Sequence, residues 1–401
     1  MNTNTRNTQD HIAPPTAEQL VERARALVPM LRAGAAEVEK ARRVPAATVR
    51  AFVDAGFFRI LQPKRWGGWE MDIRVFYQVL MELGRGCGSS AWVMMILGVH
   101  QWEFGLFPEQ AGDDVWGQDS NVIVASSYPP MSRCQRVDGG WRISGKWPTS
   151  SGIDHAQWTI LGGMITDDNG ALTERLTLLL PRSDYTIEDD WYVFGLAGTG
   201  SKSLLVNDAF VPDHRTHTNF DQEIPWRSNR YRMPFKIAFY GAVSAVINGM
   251  ASGAVDIYRE QMSTRKVTGF GTPVNASPYV KDRLGNAVAR VRSSRMRLMQ
   301  LLGDALAWTD KGEEVPIDFV VHALLDIARV GRECEEAVLL LFKATSAKGM
   351  FLDNPIQRVL RDVLAGANHI TQNADDTAGM LGSYLLGQPL PPNVFSRSTS
   401  A

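Results

Sequence analysis

The strongest constraint on the fold of this chain is a change of pattern at both ends of one central block. From about residue 122 to 221 the apolar segments are short, rich in Val, Ile, Thr, Leu and Trp, and separated by Asp/Gly turns. They include 122–125, 141–143, 158–161, 176–180, 203–206 and 209–212. Runs of this kind read as strands, and a block of about 100 residues made of them reads as an antiparallel barrel or sandwich. On either side the apolar residues recur at helical spacing instead. A chain that switches period twice folds as a helical block, a β-domain and a second helical block.

Thr16 has the position of an N-cap, with Gln19 three residues on completing a capping box. Leu20, Ala24, Leu27, Val28 and Leu31 then form one face, with Pro29 expected to kink or split the helix. Pro45 opens a helix over 46–55 that Gly56 ends, and helices at 73–83 and 89–104 follow. After a polar link at 213–234 come four long helical runs: 237–263, 278–309, 317–348 and 355–386. Four long helices imply a bundle. The first of them is rich in Ala and Gly and should pack closely on a neighbour. The predicted fold class is therefore α+β, with an N-terminal helical domain at 16–120, a β-domain at 121–221 and a C-terminal helical bundle at 235–390. Residues 1–15 read as disordered, and the tail from Pro389 as loop.

With 42 basic and 43 acidic residues the net charge is -1, which gives no electrostatic footprint for nucleic acid. Cys87, Cys134 and Cys334 form no CxxC and read as reduced thiols, an expectation of a cytoplasmic protein. No apolar segment of membrane-spanning length is evident, and the N-terminus lacks an apolar signal region. His155, His214 and His217 have no partner cluster at ligand spacing, so no metal site is expected. There is no GxSxG, no P-loop, and no GxGxxG at a strand-to-helix joint.

Between the turn at Asp138-Gly139-Gly140 and the segment at 158 the chain reads Gly145-Lys146-Trp147-Pro148-Thr149-Ser150-Ser151-Gly152. As a link between two strands it offers an indole face, three hydroxyls and exposed backbone N–H groups. That suits a flat ligand with a polar edge, such as an isoalloxazine ring. It equally suits an ordinary hairpin loop with a packed Trp.

The α–β–α order, with certain residues at its joints, resembles the acyl-CoA dehydrogenase fold over about residues 17–390. Trp147-Pro148-Thr149-Ser150 looks like the flavin loop of that superfamily. Gly198-Thr199-Gly200-Ser201-Lys202, with Val206 to Pro212, resembles its strand pair ending in Val-Pro. Arg265 with Phe270-Gly271 is similar to the segment that reaches the flavin of a neighbouring subunit. Asn354-Pro355 through Arg361-Asp362 resembles its late Pro-x-x-Arg-x-x-Arg-Asp helix.

One departure matters more than these matches. A dehydrogenase of this fold needs a carboxylate base, and none follows Arg361-Asp362 at the right distance; His369 stands there instead. The long helix has only Asp256 and Glu260, near its far end. That pattern resembles the flavin monooxygenases built on this fold, the oxygenase components of two-component hydroxylases for hydroxyphenylacetate, secosteroid phenols and polyketides.

The resemblance implies a reduced flavin (FMN, or FADH2 as the alternative) supplied by a separate NAD(P)H:flavin reductase, O2 as co-substrate, and a small aromatic substrate hydroxylated through a C4a-hydroperoxide. It implies a homotetramer, while the charge balance and the apolar run lengths give the expectation of neither nucleic acid nor membrane as partner. Its candidate catalytic residues are His369, His100 and Ser151. Ser151, or Ser150, would meet flavin N5, because a hydroxyl both donates and accepts. His369 would stabilise the peroxide and handle protons, since histidine titrates near neutrality. His100, with Ser126 and Trp102, would meet the substrate. Trp147, Thr149, Thr199, Ser201, Arg265, Phe270, Lys348 and Gly349 complete the cofactor set, Arg265 as a phosphate fork. Lys348-Gly349 replaces the superfamily's Gly-Gly, which favours FMN. The rival readings are an acyl thioester dehydrogenase or oxidase, an N- or S-oxygenating monooxygenase of this fold, and a flavin-binding or assembly protein without turnover.

Overall fold

The computed structural model describes residues 14–166, 172–217, 226–267 and 269–390. The expectations for residues 1–13 and for the tail beyond 390 lie outside these, as does part of the 213–234 link. Helix α1 (Ala17–Ala41) starts on the expected capping box: Thr16 Oγ1 accepts from the Gln19 N–H at 3.2 Å, and Gln19 Oε1 accepts from the Thr16 N–H at 2.9 Å. Pro29 lies inside α1 without splitting it. Leu20 and Ala24 before it and Leu31, Ala35 and Val38 after it are buried as one stripe. That shared packing outweighs the missing backbone hydrogen bond.

Helices α2 (Ala46–Asp54), α3 (Ile73–Gly86), α4 (Gly88–Glu103) and α5 (Glu109–Trp116) complete the N-terminal part. Every residue of α4 is buried. A helix apolar nearly all round belongs inside the molecule, and α4 runs there between the sheets and the bundle.

The central strands form two four-stranded sheets. One has the order β1 (Val124–Arg133), β4 (Trp158–Thr166), β5 (Leu172–Pro181), β8 (Thr216–His217). The other has β2 (Gln135–Val137), β3 (Gly140–Ser150), β7 (Lys202–Pro212), β6 (Thr186–Glu188). The expectation of a purely antiparallel β-domain is corrected, because β1 runs parallel to β4. Between them the chain crosses to the other sheet for β2 and β3, the kind of crossover a parallel pair requires. Strand β1 also runs past Tyr128-Pro129-Pro130. Register shifts on either side of Pro130 absorb the prolines, so Ser126 and Ser127 lie within the strand, not at its end.

The C-terminal part contains α6 (Phe235–Thr264), α7 (Pro278–Thr309), α8 (Ile317–Ala344), α9 (Pro355–Ala367) and α10 (Ala374–Leu385). The expected single run 355–386 is two helices. His369 caps a short turn at Ile370–Gln372, and Asn373 caps α10 by accepting from the Asp376 N–H at 3.2 Å. Polar side chains that satisfy backbone donors locally break the helix there.

The close approach expected of α6 is made with α3. A Cβ at Gly249 would stand 2.5 Å from the Met81 carbonyl oxygen, and one at Gly84 2.9 Å from Gly249 Cα. Contrary to the sequence expectation, α6 is long and apolar enough to cross a membrane. However, 89% of its apolar window is buried inside the protein, as for a core helix.

Candidate functional site

Helix α4 passes several of the groups the sequence singled out around the flavin and the substrate. Ser89 lies against Gly198, Trp92 against Gly366 and His369, and Val93 and Leu97 against Gly152. His100 lies against Tyr128 of β1 and Phe239 of α6. From Trp92 to His100 is roughly 12 Å of helix at 1.5 Å per residue. One rigid element thus holds both halves of the candidate site.

The stretch 145–152 is strand for most of its length, because β3 continues to Ser150. Trp147 therefore presents no open indole face. It is fully buried, and its Nε1–H donates to the Gly162 carbonyl at 2.7 Å, which ties one sheet to the other. Between Trp147 and Ser150 the β3–β7 register shifts, and Thr149 at the shift has φ 61°. A β-branched residue in that region is strained, and such strain concentrates at functional sites. The bulge re-aims the residues after it.

Ser150 Oγ is fully buried without a hydrogen-bond partner among the described residues. Ser151 Oγ lies 2.6 Å from Ser201 Oγ, which lies 2.7 Å from Thr199 Oγ1, which donates to the Leu196 carbonyl at 2.8 Å. A carbonyl only accepts, so it sets the direction of the chain. Thr199 donates to Leu196, Ser201 to Thr199, and Ser151 to Ser201. Ser151 is left with lone pairs for a donor outside the chain. These hydroxyls fit the polar edge of a flavin: one buried oxygen lacks a partner and its neighbour is set up to accept.

His369 faces the edge of Trp92, ring centroids 5.6 Å apart. Its Nδ1 accepts from the Thr371 N–H at 3.3 Å and pairs with Thr371 Oγ1 at 2.9 Å. The neutral ring then carries its proton on Nε2. Burial lowers its pKa to about 4. The expectation that His369 titrates near neutrality is therefore corrected: it is a neutral Nε2–H donor over the ordinary pH range.

His100 is fully buried and belongs to a polar array the sequence did not reveal. Its Nδ1 lies 3.0 Å from Glu103 Oε2 and 3.1 Å from the Tyr128 hydroxyl, which itself donates to Glu103 Oε2. Across the carboxylate, His217 Nε2 lies 3.6 Å from Glu103 Oε1. Burial opposes ionisation of Glu103, but the hydrogen bond with His100 and the nearby ring of His217 more than reverse that and hold its pKa well below the usual range. Burial, then the adjacent carboxylate, raises the Tyr128 phenol well above its ordinary pKa. His100 Nε2 is buried with no hydrogen-bond partner among the described residues. The signal for Glu103 was available in the sequence: an acid three residues from a histidine on an otherwise apolar helix must be paired.

The other expected contacts divide. Ser127 Oγ donates to the Pro148 carbonyl at 2.5 Å, so strand alternation puts Ser126 on the face of Tyr128. Trp102 spends its polar edge within the chain, donating to the Arg230 carbonyl at 3.1 Å. Arg265, Phe270, Lys348 and Gly349 gather elsewhere. Arg265 Nη1 donates to the Thr345 carbonyl at 2.9 Å, Phe270 is 83% exposed and Lys348 is exposed. A Cβ on Gly349 would fall 1.9 Å from Thr345 Oγ1, so this glycine serves the chain's own packing.

The acids of the late helices are structural. Asp256 Oδ2 accepts from Arg85 Nε at 3.0 Å and Nη2 at 2.8 Å, and Asp362 Oδ1 accepts from the Leu196 N–H at 2.7 Å. No metal-ligating cluster occurs among the described residues.

Two packed sheets between helical layers, with a hydroxyl-lined strand end facing a buried helix, define the acyl-CoA dehydrogenase class of flavoprotein. Models of the acyl-CoA dehydrogenase N-terminal and C-terminal domains match residues 14–105 and 242–374. The oxygenase subunit HsaA of a flavin-dependent monooxygenase from Rhodococcus jostii is 37% identical over 92% of this chain and 99% of its own. The oxygenase component of an FADH2-dependent resorcinol hydroxylase from a Rhizobium species is 32% identical over 92% and 94%. The crystal structure of 3-HSA hydroxylase from Rhodococcus sp. RHA1 superposes with a TM-score of 0.89 at 36% identity, covering 94% of this chain and 99% of that one. The chain belongs to the family of flavin-dependent monooxygenase oxygenase subunits.

Proposed function

We propose that this oxygenase hydroxylates a phenolic small molecule, using O2 and a reduced flavin delivered by a separate reductase. The observation that carries the substrate class is His100 Nε2. With Nδ1 donating to a carboxylate, the neutral ring keeps a lone pair on Nε2, buried beside Phe239 and Tyr128 with no donor to accept from among the described residues. A phenolic O–H answers it. Relatives named for resorcinol and p-hydroxyphenylacetate act on phenols.

When bound, the reduced flavin supplies the oxygen-activating chemistry. Ser151 accepts a hydrogen bond from its edge, and Ser150 gains its missing partner there. His369 donates from Nε2 and gives up no proton near neutrality. His100 takes the phenol proton, which makes the ortho carbon more nucleophilic. Val93, Leu97 and Trp92 of α4 keep water out.

Arg265 and Phe270 complete the site of a neighbouring copy in a homotetramer. Support comes from the large apolar side chains that this single chain leaves exposed, Phe270, Tyr279, Phe351 and Leu352. Lys348, a point charge near Arg265, suits the terminal phosphate of FMN, with FAD the alternative. Three free thiols accord with the cytoplasm.

The test supplies chemically reduced FMN or FAD, O2 and a panel of phenols and their methyl ethers, and quantifies hydroxylated product against released peroxide. Phenols should give product and the ethers peroxide alone. Equal turnover of both would remove His100 from proton transfer.

A further inference from the structure

We infer that Glu103 is a positioning residue that fixes the tautomer of His100 and stabilises the charge His100 acquires when it takes a proton from the substrate hydroxyl, an inference that rests on the role of His100 above. The geometry leaves little choice of tautomer. Glu103 and His100 are one helical turn apart on α4, both buried, with Nδ1 3.0 Å from the carboxylate. A lone pair on Nδ1 would face an anion, so Nδ1 carries the proton and Nε2 accepts.

Among the described residues the carboxylate is paired with no Lys or Arg. Its partners among the described residues are His100, Tyr128 and His217. A buried anion so placed favours a neighbouring proton-borne charge. When the substrate O–H breaks and an N–H forms at Nε2, the imidazolium lies between two anions, Glu103 and the new phenolate, and the net charge of the group is unchanged.

Tyr128 tunes this arrangement. Its hydroxyl donates to the same Oε2 that His100 uses, so it withdraws part of the carboxylate's charge. Among the described residues the groups facing His100 are Glu103 from its own helix, Tyr128 from β1 and the ring of Phe239 from α6, with His217 of β8 behind the carboxylate.

The experiment uses the full-length oxygenase without flavin and p-nitrophenol, whose phenolate is coloured, and titrates the bound probe with pH. Wild type should lower the probe's apparent pKa and His100→Gln should abolish that. Glu103→Gln keeps the size of the side chain but should raise the bound probe's pKa by about one unit, a tenfold loss of phenolate. Tyr128→Phe should move it the other way, because the whole carboxylate then serves His100. A His100-dependent lowering that Glu103→Gln leaves unchanged overturns the inference and spares the reading of His100. No lowering in wild type overturns both. Should Glu103→Gln not fold, Tyr128→Phe decides: a further lowering supports the role of Glu103, and no change or a rise overturns it.

Discussion

Trp92 sets the edge of its indole against the imidazole of His369, ring centroids 5.6 Å apart at an interplanar angle of 68°. The contact covers the histidine where α9 ends, and burial there lowers its pKa to about 4. An unfolded imidazole titrates near 6.5. Between those values the unfolded chain binds the extra proton, so the contribution of His369 to stability is intact above pH 6.5 and lost as pH falls through 4. Activity should therefore show no ionisation of His369 between pH 6 and 8, by the same reasoning about its depressed pKa. His369→Ala should slow product formation on the order of 10²-fold, the cost of one missing donor at a reacting oxygen. Peroxide release should take its place, read as product per flavin oxidised across that pH range. A histidine-dependent inflection near neutrality would contradict the neutral-donor role.

The hydroxyl chain has a direction, and Ser201 is the link that transmits it. Replacing it with Ala removes the acceptor to which Ser151 donates. Ser151 then rotates freely and competes for its own partner. Ser201→Ala should weaken binding of reduced flavin by about 1 kcal/mol, the worth of a typical hydrogen bond, or roughly fivefold. Anaerobic titration followed by flavin fluorescence measures it. Ser201→Thr, which keeps the hydroxyl, should bind as wild type. Equal weakening by both would mean that shape, not polarity, matters at this position.

Asp256 separates the monooxygenase from the dehydrogenase reading. It is an acid on the long helix, but it is committed to Arg85, with Arg32 at 3.8 Å and Arg259 at 3.4 Å. Removing one partner of a largely buried pair costs stability because the other charges are stranded. Asp256→Asn should lower stability by about 3 kcal/mol in urea melts while leaving the product formed per folded enzyme unchanged. A variant that folds with wild-type stability and loses turnover would restore this residue as a candidate base.

The period of the sequence carried most of the fold. Helical spacing located α1 through α4 and α6 through α9, because an apolar stripe repeats every turn wherever a helix packs on a core. Breaks made by side chains were invisible to it: the end of the helix at His369 depends on that ring accepting the Thr371 N–H, a contact no periodicity encodes. The parallel pairing of β1 with β4 was equally hidden, since alternation gives a strand its faces but not its neighbour. In the site, motif resemblance pointed to Ser150, Ser151, His100 and His369, which the structure lines up along α4. It could not show that Trp147 faces inward, or that Glu103 and Tyr128 join His100 from one turn along the helix and from a strand.

Asp362 anchors the same hydroxyl chain from behind. Its Oδ1 accepts from the Leu196 N–H at 2.7 Å, and Leu196 in turn offers the carbonyl that terminates the Thr199–Ser201–Ser151 series. Burial raises the carboxyl pKa to about 7, the Leu196 N–H lowers it, and Glu39 adds a smaller upward push. Arg358 and Arg361 do little to offset this because both are paired with Glu39. The unfolded carboxyl titrates near 3.8. The folded state thus holds a proton that the unfolded state has lost, and the stability linked to it is full below pH 3.8 and disappears as pH rises through 7. Asp362→Asn cannot ionise, yet its amide oxygen still accepts from Leu196. Relative to wild type it should be more stable at pH 8, where the native carboxylate is buried and charged, and the advantage should shrink at pH 5, where the native carboxyl is already protonated. Urea midpoints at the two pH values read the difference, and an equal shift at both would mean that Asp362 is ionised throughout.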